Sequence, residues 1–372
     1  MVINGFATPE GTAHYGERRR GTTAKEHFHL QHGLTISSIG IGTYLGEADA
    51  EIDRRYTEAV MAAVRLGANV IDTAANYRFQ RSERSIGAAL RQLIEANTAR
   101  RDELIVCTKG GYLPFDGAPS SNVRRYIEEA FVRPGIAEFS DFVAGSHCMT
   151  PRYLQHQIGQ SLRNLNLSAV DVYYIHNPET QLSAVARSEF EERLRAAFET
   201  LEQAVAEGKI KMYGVATWNG FRVGPEAREY HSLEMMEGLA REVGGAEHHF
   251  RFVQLPFNLA MPEALTASNQ TFKGVRVSLL EAAHALSITV VASASLLQGR
   301  VASGLPPSIR EPLGSLNSDA LTAIQFVRST PGITTALVGM SRPSHVEEDL
   351  QLARIAPAPP EDYRRLFAQN GA

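Results

Sequence analysis

The stretch from residue 69 to residue 178 contains NVIDTA (69–74), LIVCTKGG (104–111) and VDVYYIHNP (170–178). Each segment is a short run rich in Val, Ile or Tyr. Apolar runs without alternation are typical of strands that are covered on both faces, as in a parallel sheet. The three segments therefore predict parallel strands that carry Asp72, Lys109 and His176 at or near their carboxyl ends.

The same alternation of an apolar run with a longer amphipathic stretch extends over most of the chain. Eight strands are predicted, at Thr35–Tyr44, Asn69–Ala74, Leu104–Lys109, Val170–His176, Ile210–Thr217, Phe250–Phe257, Ile288–Ser295 and Thr334–Met340. Apolar residues at helical spacing predict outer helices at Ile52–Leu66, Ser82–Ala96, Tyr153–Asn164, Glu189–Ala206, Ser278–Ser287, Asp319–Ser329 and Ser344–Ala353. The pattern predicts an α/β fold, a (β/α)8 TIM barrel in a single domain.

Two segments do not fit this rhythm. Residues 1–33 form a polar leader before a barrel predicted for 34–372, and residues 111–149 are a long insertion after strand three. The loops that follow barrel strands lie on the catalytic face, so we expect this insertion to cover that face. Its many aromatic residues suit a substrate lid, although a surface loop without function is the alternative.

Composition limits the classes of function. The 372 residues are 44% hydrophobic and 21% charged, with a formal net charge of −4. No basic run exceeds Arg18–Arg20, which argues against a nucleic-acid partner and favours a small molecule. Two cysteines cannot form a disulfide framework, and neither a secretory signal nor an 18-residue apolar run is present. We expect a cytoplasmic protein without a membrane segment; the oligomeric state is open.

The strand ends carry the chemistry. Adjacent barrel strands lie about 4.8 Å apart, so Asp72, Lys109 and His176 on three consecutive strands should come into contact. Tyr77 follows Asp72 by five residues and can return over the same opening. A phenol is a weak acid, with a pKa of about 10, unless a neighbouring ammonium lowers that pKa. The four residues therefore predict a catalytic group for general acid–base chemistry.

Seven ordered motifs, DTAANY, VCTKGG, YYIHNPE, KIKMYGVATW, VQLPFNL, VVASASLLQG and ALVGMSRPSHVEEDL, resemble those of the aldo-keto reductase superfamily over residues 34 to 355. The resemblance implies that Asp72, Tyr77, Lys109 and His176 form the catalytic tetrad of a (β/α)8 barrel. It further implies that NAD(P)H lies across the barrel mouth and gives hydride to an aldehyde or ketone while Tyr77 protonates the oxygen. The reverse reaction would oxidise the alcohol.

The resemblance also implies the cofactor contacts. Gln254 would hold the nicotinamide carboxamide, and Leu296, Gln298 and Gly299 would line the pyrophosphate. Residues of the last motif would bind the adenosine end of the cofactor: Gly339, Ser341, Arg342, His345, Glu348 and Asp349. A helix that starts near Ser344 would also favour phosphate binding.

The chain departs from the family pattern at two places. Ser293 stands where an aromatic residue usually stacks on the nicotinamide, and Ala216–Thr217 stand where Ser-Asn is usual. Trp218 or Asn219 could take over the stacking. Arg342 and His345 lie where a basic side chain would bind a 2′-phosphate, so we favour NADP(H) over NAD(H).

Three alternatives remain open. The histidines of HFHLQH, His27, His29 and His32, are similar to the metal ligands of hydrolase barrels, but the ends of strands five and eight lack further ligands, so we expect no catalytic metal. The barrel could instead bind NADP as a sensor. It could also use the cofactor in redox-neutral chemistry such as epimerisation.

Overall fold

A computed structural model describes residues 2–368. Its eight parallel barrel strands are Ile39–Gly42, Val70–Asp72, Ile105–Gly110, Val170–His176, Ile210–Ala216, Phe250–Pro256, Thr289–Ser293 and Ile333–Gly339. The eighth strand pairs with the first, with Ala336 opposite Ile39, so the sheet closes on itself. Each of these strands lies within a predicted strand or extends one residue beyond it. The single-domain (β/α)8 barrel is confirmed. The last four residues of the predicted 34–372 unit lie outside the described residues.

Outer helices follow the strands. They span Ala50–Leu66, Arg81–Glu95, Pro151–Leu165, Arg187–Ala206, Leu233–Gly244, Leu279–Ala285, Asp319–Arg328 and Pro343–Asp349. The first helix is terminated by Gly67, which directly follows Leu66. The φ of Gly67 is 116°, a left-handed conformation that glycine tolerates. The sequence pattern did not indicate Leu233–Gly244, although Ser232 caps it by accepting a hydrogen bond from Met235 N. Two shorter additions, the hairpin Gln270–Phe272 with Val275–Val277 and the helix Pro360–Ala368, were also not predicted.

The prediction of one strand over Thr35–Tyr44 was wrong, because this segment forms two strands. Leu34–Ser37 pairs antiparallel with Phe28–Gln31 in a separate hairpin, and only Ile39–Gly42 belongs to the barrel. The chain leaves the hairpin at Ser38, whose N–H donates to His27 O. Both halves are apolar, so the change of partner does not appear in the hydropathy pattern.

The leader contains a helix at Pro9–Arg19, which Thr8 caps through its side chain. Tyr15 of this helix is fully buried, and its hydroxyl donates to Val64 O and Ala68 O at the end of the first outer helix. These contacts attach the leader to the barrel wall.

The insertion at 111–149 has an apolar core of its own. Its short helix, Val123–Ile127, continues into one π-helical turn at Glu128–Val132. A cluster of buried side chains joins the insertion to the helix that follows it: Leu113, Ile127, Phe131, Ala137, Phe142, Cys148 and Tyr153. The insertion is therefore packed against the barrel, and its two ends, near Tyr112 and His147, lie beside the end of the fourth strand.

Within residues 2–368, no helix combines the length and the apolarity that a membrane span requires.

Candidate active site

A buried ion pair links the second and third barrel strands. The two strands are neighbours, and Lys109 Nζ lies 2.5 Å from Asp72 Oδ1. The same ammonium donates to Thr73 O at 2.8 Å, while the amide of Gln254 donates to Asp72 Oδ2 at 2.8 Å. Lys109 is 1% exposed and Asp72 4% exposed. The pair is thus almost fully buried, and Thr73 O and Gln254 bind its two ends.

Electrostatics keep this lysine charged. Burial lowers the pKa of Lys109, but the charges of Asp72 and Tyr77 outweigh burial and raise the pKa above its usual value. Burial raises the pKa of Tyr77, and Lys109 opposes that rise. The pKa of Tyr77 is therefore raised overall, because desolvation outweighs the charge of Lys109, and the expectation that the ammonium brings this pKa below its usual value was wrong.

Tyr77 and His176 face each other. The Tyr77 ring centroid lies 5.7 Å from that of His176 in an edge-to-face contact, and Lys109 Nζ lies 5.0 Å from the Tyr77 centroid. Burial, the charge of Lys109 and His147 hold the pKa of His176 well below its usual value, so the imidazole is neutral. Its Nδ1 is buried and has no hydrogen-bond partner among residues 2–368.

These groups border a cavity of about 500 Å³ at the carboxyl ends of the strands. Asp72, Tyr77 and His176 line it, while Lys109 lies behind them. The predicted cofactor residues on its wall are Thr217, Gln254, Ser293, Leu296, Gln298, Gly299, Gly339, Ser341, His345, Glu348 and Asp349. Arg342 is not among the lining residues. The structure thus brings nearly the whole predicted set to one cavity.

The adenosine end differs from the sequence expectation. The last predicted helix, Ser344–Ala353, is α-helical only over Pro343–Asp349 and continues as a 3-10 turn at Leu350–Arg354. Pro343 lacks an N–H, and the N–H of His345 already bonds to Arg342 O. This helix end therefore offers a phosphate few free donors. Burial and Glu348 raise the pKa of Asp349 to about 7.

The loop after the seventh strand is strained. Ala294, Leu297 and Gln298 have φ values of 52°, 44° and 55°, a left-handed region that costs a residue with a side chain about 1 kcal/mol or more. Strain of this kind is concentrated at ligand-binding sites. All three residues line the cavity, so the strained backbone forms part of its wall.

Sequence reasoning missed several lining residues. Tyr44 lines the mouth and packs edge-to-face on Tyr77 at 5.0 Å. Asn177 follows His176 directly, and Trp218, considered only as a stacking candidate, is on the wall and 43% exposed. Position within two residues of the end of a barrel strand was the signal that could have identified all three.

The histidines of HFHLQH lie elsewhere. His27 bonds to Gly67 O through Nε2 and to the Ser38 hydroxyl through Nδ1, and His29 bonds to Thr334 O. His32 packs on Phe252. These partners belong to the opposite end of the barrel from the cavity, which removes the geometric basis of the metal-hydrolase alternative.

The comparison with known proteins identifies the family. The model of the Aldo/keto reductase family matches residues 38–302, which is more than half of the chain. The chain belongs to the aldo/keto reductase family. Membership agrees with the resemblance seen in the seven motifs and makes the protein an oxidoreductase of the aldo-keto reductase type.

Individual relatives are distant. The chain is 25% identical over 335 residues to D-threo-aldose 1-dehydrogenase of a Pseudomonas species, covering 87% of this chain and 91% of that protein. It is 24% identical over 209 residues to NADH-specific methylglyoxal reductase of Escherichia coli, covering 55% of each. An aldo/keto reductase of Klebsiella pneumoniae, solved with NADP and acetate, has a TM-score of 0.61 at 19% identity and covers 93% of this chain and 95% of that one. This structural likeness supports the fold.

Proposed function

We propose that this aldo-keto reductase reduces an aldehyde or ketone, or oxidises the corresponding alcohol, with Tyr77 as general acid or base. The observation that carries the proposal is the buried Asp72–Lys109 pair beneath Tyr77, beside His176, at one end of the cavity. A nicotinamide dinucleotide, when bound, would supply the hydride.

The cavity wall fits such a cofactor. Within the part of the chain that the structure describes, the hydroxyls of Thr217 and Ser295 are buried there without hydrogen-bond partners, and a polar ligand would satisfy them. Gln254 and the strained loop at Ala294–Gln298 border the same space. These residues would hold the dinucleotide against the cavity wall.

The side chains divide the proton chemistry between them. The neutral imidazole of His176 donates a hydrogen bond through Nε2 and orients the carbonyl oxygen. Tyr77 gives that oxygen its proton, and Lys109 stabilises the phenolate that remains. Asp72 keeps Lys109 charged and in place, and Gln254 satisfies the second oxygen of Asp72. No residue of the insertion at 111–149 lines the cavity among the described residues, so its proposed role as a substrate lid rests on the contact of Tyr112 with His176.

A turnover assay tests the proposal. The purified protein is mixed with NADPH or NADH and a panel of aldehydes, ketones and sugars, and absorbance at the nicotinamide band is followed together with product analysis. Net oxidation that depends on substrate supports the reductase. Substrate conversion without net oxidation would favour redox-neutral chemistry, and tight binding with no conversion would favour a sensor.

Cofactor choice is a separate part of the proposal. We propose NADP(H), on the basis of His345 in the cavity wall and Arg342 beside it. A 2′-phosphate next to Arg342 should make Arg342→Ala weaken NADPH more than NADH, as titration would show. Equal weakening of both would contradict this preference. The cytoplasmic location stays a prediction.

Trp218 should carry part of the cofactor affinity. Its backbone N–H and that of Asn219 donate to Glu179 Oε1 at 2.7 and 3.1 Å, which fixes the backbone that carries the indole at the cavity wall. Stacking of an aromatic side chain on a base contributes about 1–3 kcal/mol, so we expect Trp218→Ala to raise the Kd of the dinucleotide about 10-fold. Titration followed by the fluorescence of the reduced nicotinamide measures this Kd. Trp218→Phe is the control, because it keeps an aromatic ring at this position. An unchanged Kd in the alanine variant would contradict a stacking role for Trp218.

Cofactor affinity should depend on pH through Asp349. Because the pKa of Asp349 is raised to about 7, the carboxyl is neutral below that pH and ionised above it. The ionised form repels an anionic dinucleotide, so Kd should increase between pH 6 and pH 8. Glu348 and His345 line the same end of the cavity. Asp349→Asn should flatten the profile between these two pH values, and an unchanged slope in that variant would assign the effect to another group.

A further inference from the structure

A histidine of the insertion bonds directly to the backbone of His176. His147 is fully buried, and its Nε2 lies 2.8 Å from His176 O. On its other side, Nδ1 lies 2.8 Å from Gln181 Nε2. His147 thus connects the end of the insertion to the end of the fourth barrel strand and to the turn that follows it.

The hydrogens in this chain of bonds have one consistent arrangement. Arg193 is a donor only, and its Nη1 meets Gln181 Oε1, so the amide nitrogen of Gln181 must face His147. An amide nitrogen donates, so His147 Nδ1 accepts and the ring hydrogen is on Nε2. His147 then donates to His176 O. Burial, which lowers the pKa of His147 to about 4, keeps the ring neutral in this tautomer.

Two neighbours show that the contact is built into the fold. Gly111, with a φ of 127°, passes so close that a Cβ would lie 3.0 Å from His147 Nε2 and 3.3 Å from His176 O. The Tyr112 ring packs edge-to-face on both imidazoles, at 5.0 Å from His147 and 5.1 Å from His176. A larger residue at 111 would therefore crowd this hydrogen bond.

The side chain of His176 makes few contacts that could fix its orientation, so the orientation depends on neighbouring groups. Its Nδ1 is buried and meets no partner in the described chain, so no hydrogen bond from these residues to that nitrogen fixes the rotation of the ring. The ring orientation therefore depends on the backbone at His176 and on the packing of Tyr77 and Tyr112. A shift of the backbone would move Nε2 away from the substrate oxygen.

We infer that His147 is a positioning residue: its hydrogen bond to His176 O, with its tautomer set by Gln181 and Arg193, holds the catalytic imidazole in register with Tyr77. This inference rests on the proposed function and extends it to the insertion. It explains why the insertion ends beside the fourth strand. It also gives a role to the segment KGG at 109–111, in which Lys109 pairs with Asp72 and Gly111 leaves room for His147.

The test compares two substitutions at one position. His147→Leu removes the donor, and because misplacement of a reacting group by about 1 Å can cost about 100-fold in rate, we expect kcat to fall about 10- to 100-fold. His147→Gln places an amide N–H near the position of Nε2 and should keep kcat within about 3-fold of the wild type. The Kd of the dinucleotide should be unchanged in both. Equal loss in both variants, or no loss in His147→Leu, would overturn the inference.

A matched control and a second readout keep the test decisive. His156 also touches the insertion, through Phe131 at 5.8 Å, but has no contact with His176, so His156→Leu should leave kcat unchanged. If His147→Leu does not fold, Gln181→Leu, which releases the His147 tautomer, should lower kcat instead, and full activity there would overturn the inference. Nitrogen NMR of the wild type should show the hydrogen of His147 on Nε2; a hydrogen on Nδ1 would overturn the inference without reference to activity. A wild type that reduces no carbonyl would overturn the proposed function instead.

Discussion

Tyr77→Phe should lower carbonyl reduction by about 10²- to 10⁴-fold, the usual contribution of a positioned general acid. The ring keeps its contacts with Tyr44 and His176, so packing is preserved and only the hydroxyl is lost. The decisive measurement is single-turnover oxidation of bound NADPH with a good substrate. Dinucleotide Kd should stay within about 2-fold, because the proposed partner of the hydroxyl is the substrate oxygen and not the dinucleotide.

Tyr44→Phe is the matched control for that experiment. Tyr44 lies on the same wall, touches Tyr77 and is 56% exposed, so its hydroxyl is free in water. We expect turnover in this variant to remain close to the wild type. Comparable turnover in Tyr77→Phe would instead remove the phenol from the mechanism.

Lys109→Met should have the largest effect on stability. It leaves the buried Asp72 carboxylate with Gln254 as its one remaining side-chain partner among residues 2–368, and breaking a buried ion pair in this way costs about 3–5 kcal/mol. Urea unfolding measures the loss. Turnover should also fall, because the phenolate of Tyr77 loses its neighbouring charge.

The double variant Asp72→Asn with Lys109→Met separates the two effects. Removing both charges removes the unpaired carboxylate, so most of the lost unfolding free energy should return while turnover stays low. A double variant as unstable as Lys109→Met would show that packing, and not the unpaired charge, determines the loss.

The barrel could be predicted because its strands are buried on both faces. Val170–His176 is apolar over almost its whole length, and such runs are distinct from the amphipathic stretches between them. Where two kinds of strand share the same apolar character, as at Leu34–Ser37 and Ile39–Gly42, the pattern could not tell which sheet each would join. Helix Leu233–Gly244 was missed although its cap and spacing are regular.

The reactive residues could be predicted for a similar reason. Parallel strands place their carboxyl ends on one face, so position along the chain was enough to group Asp72, Lys109 and His176. The contacts of Gln254 with Asp72 and of His147 with His176 O join residues 182 and 29 positions apart and leave no periodic trace. The length of the last helix, and with it the phosphate site, also depends on tertiary contacts.

The burial of Lys109 imposes an order on the proposed catalytic cycle. Since Lys109 lies behind Asp72 and Tyr77 and not on the cavity wall, a proton given up by Tyr77 has to be replaced from the cavity side. Water reaches that side after the product has left. Tyr77 is then reprotonated only after the alcohol has dissociated, so slow release of the alcohol also delays the reprotonation.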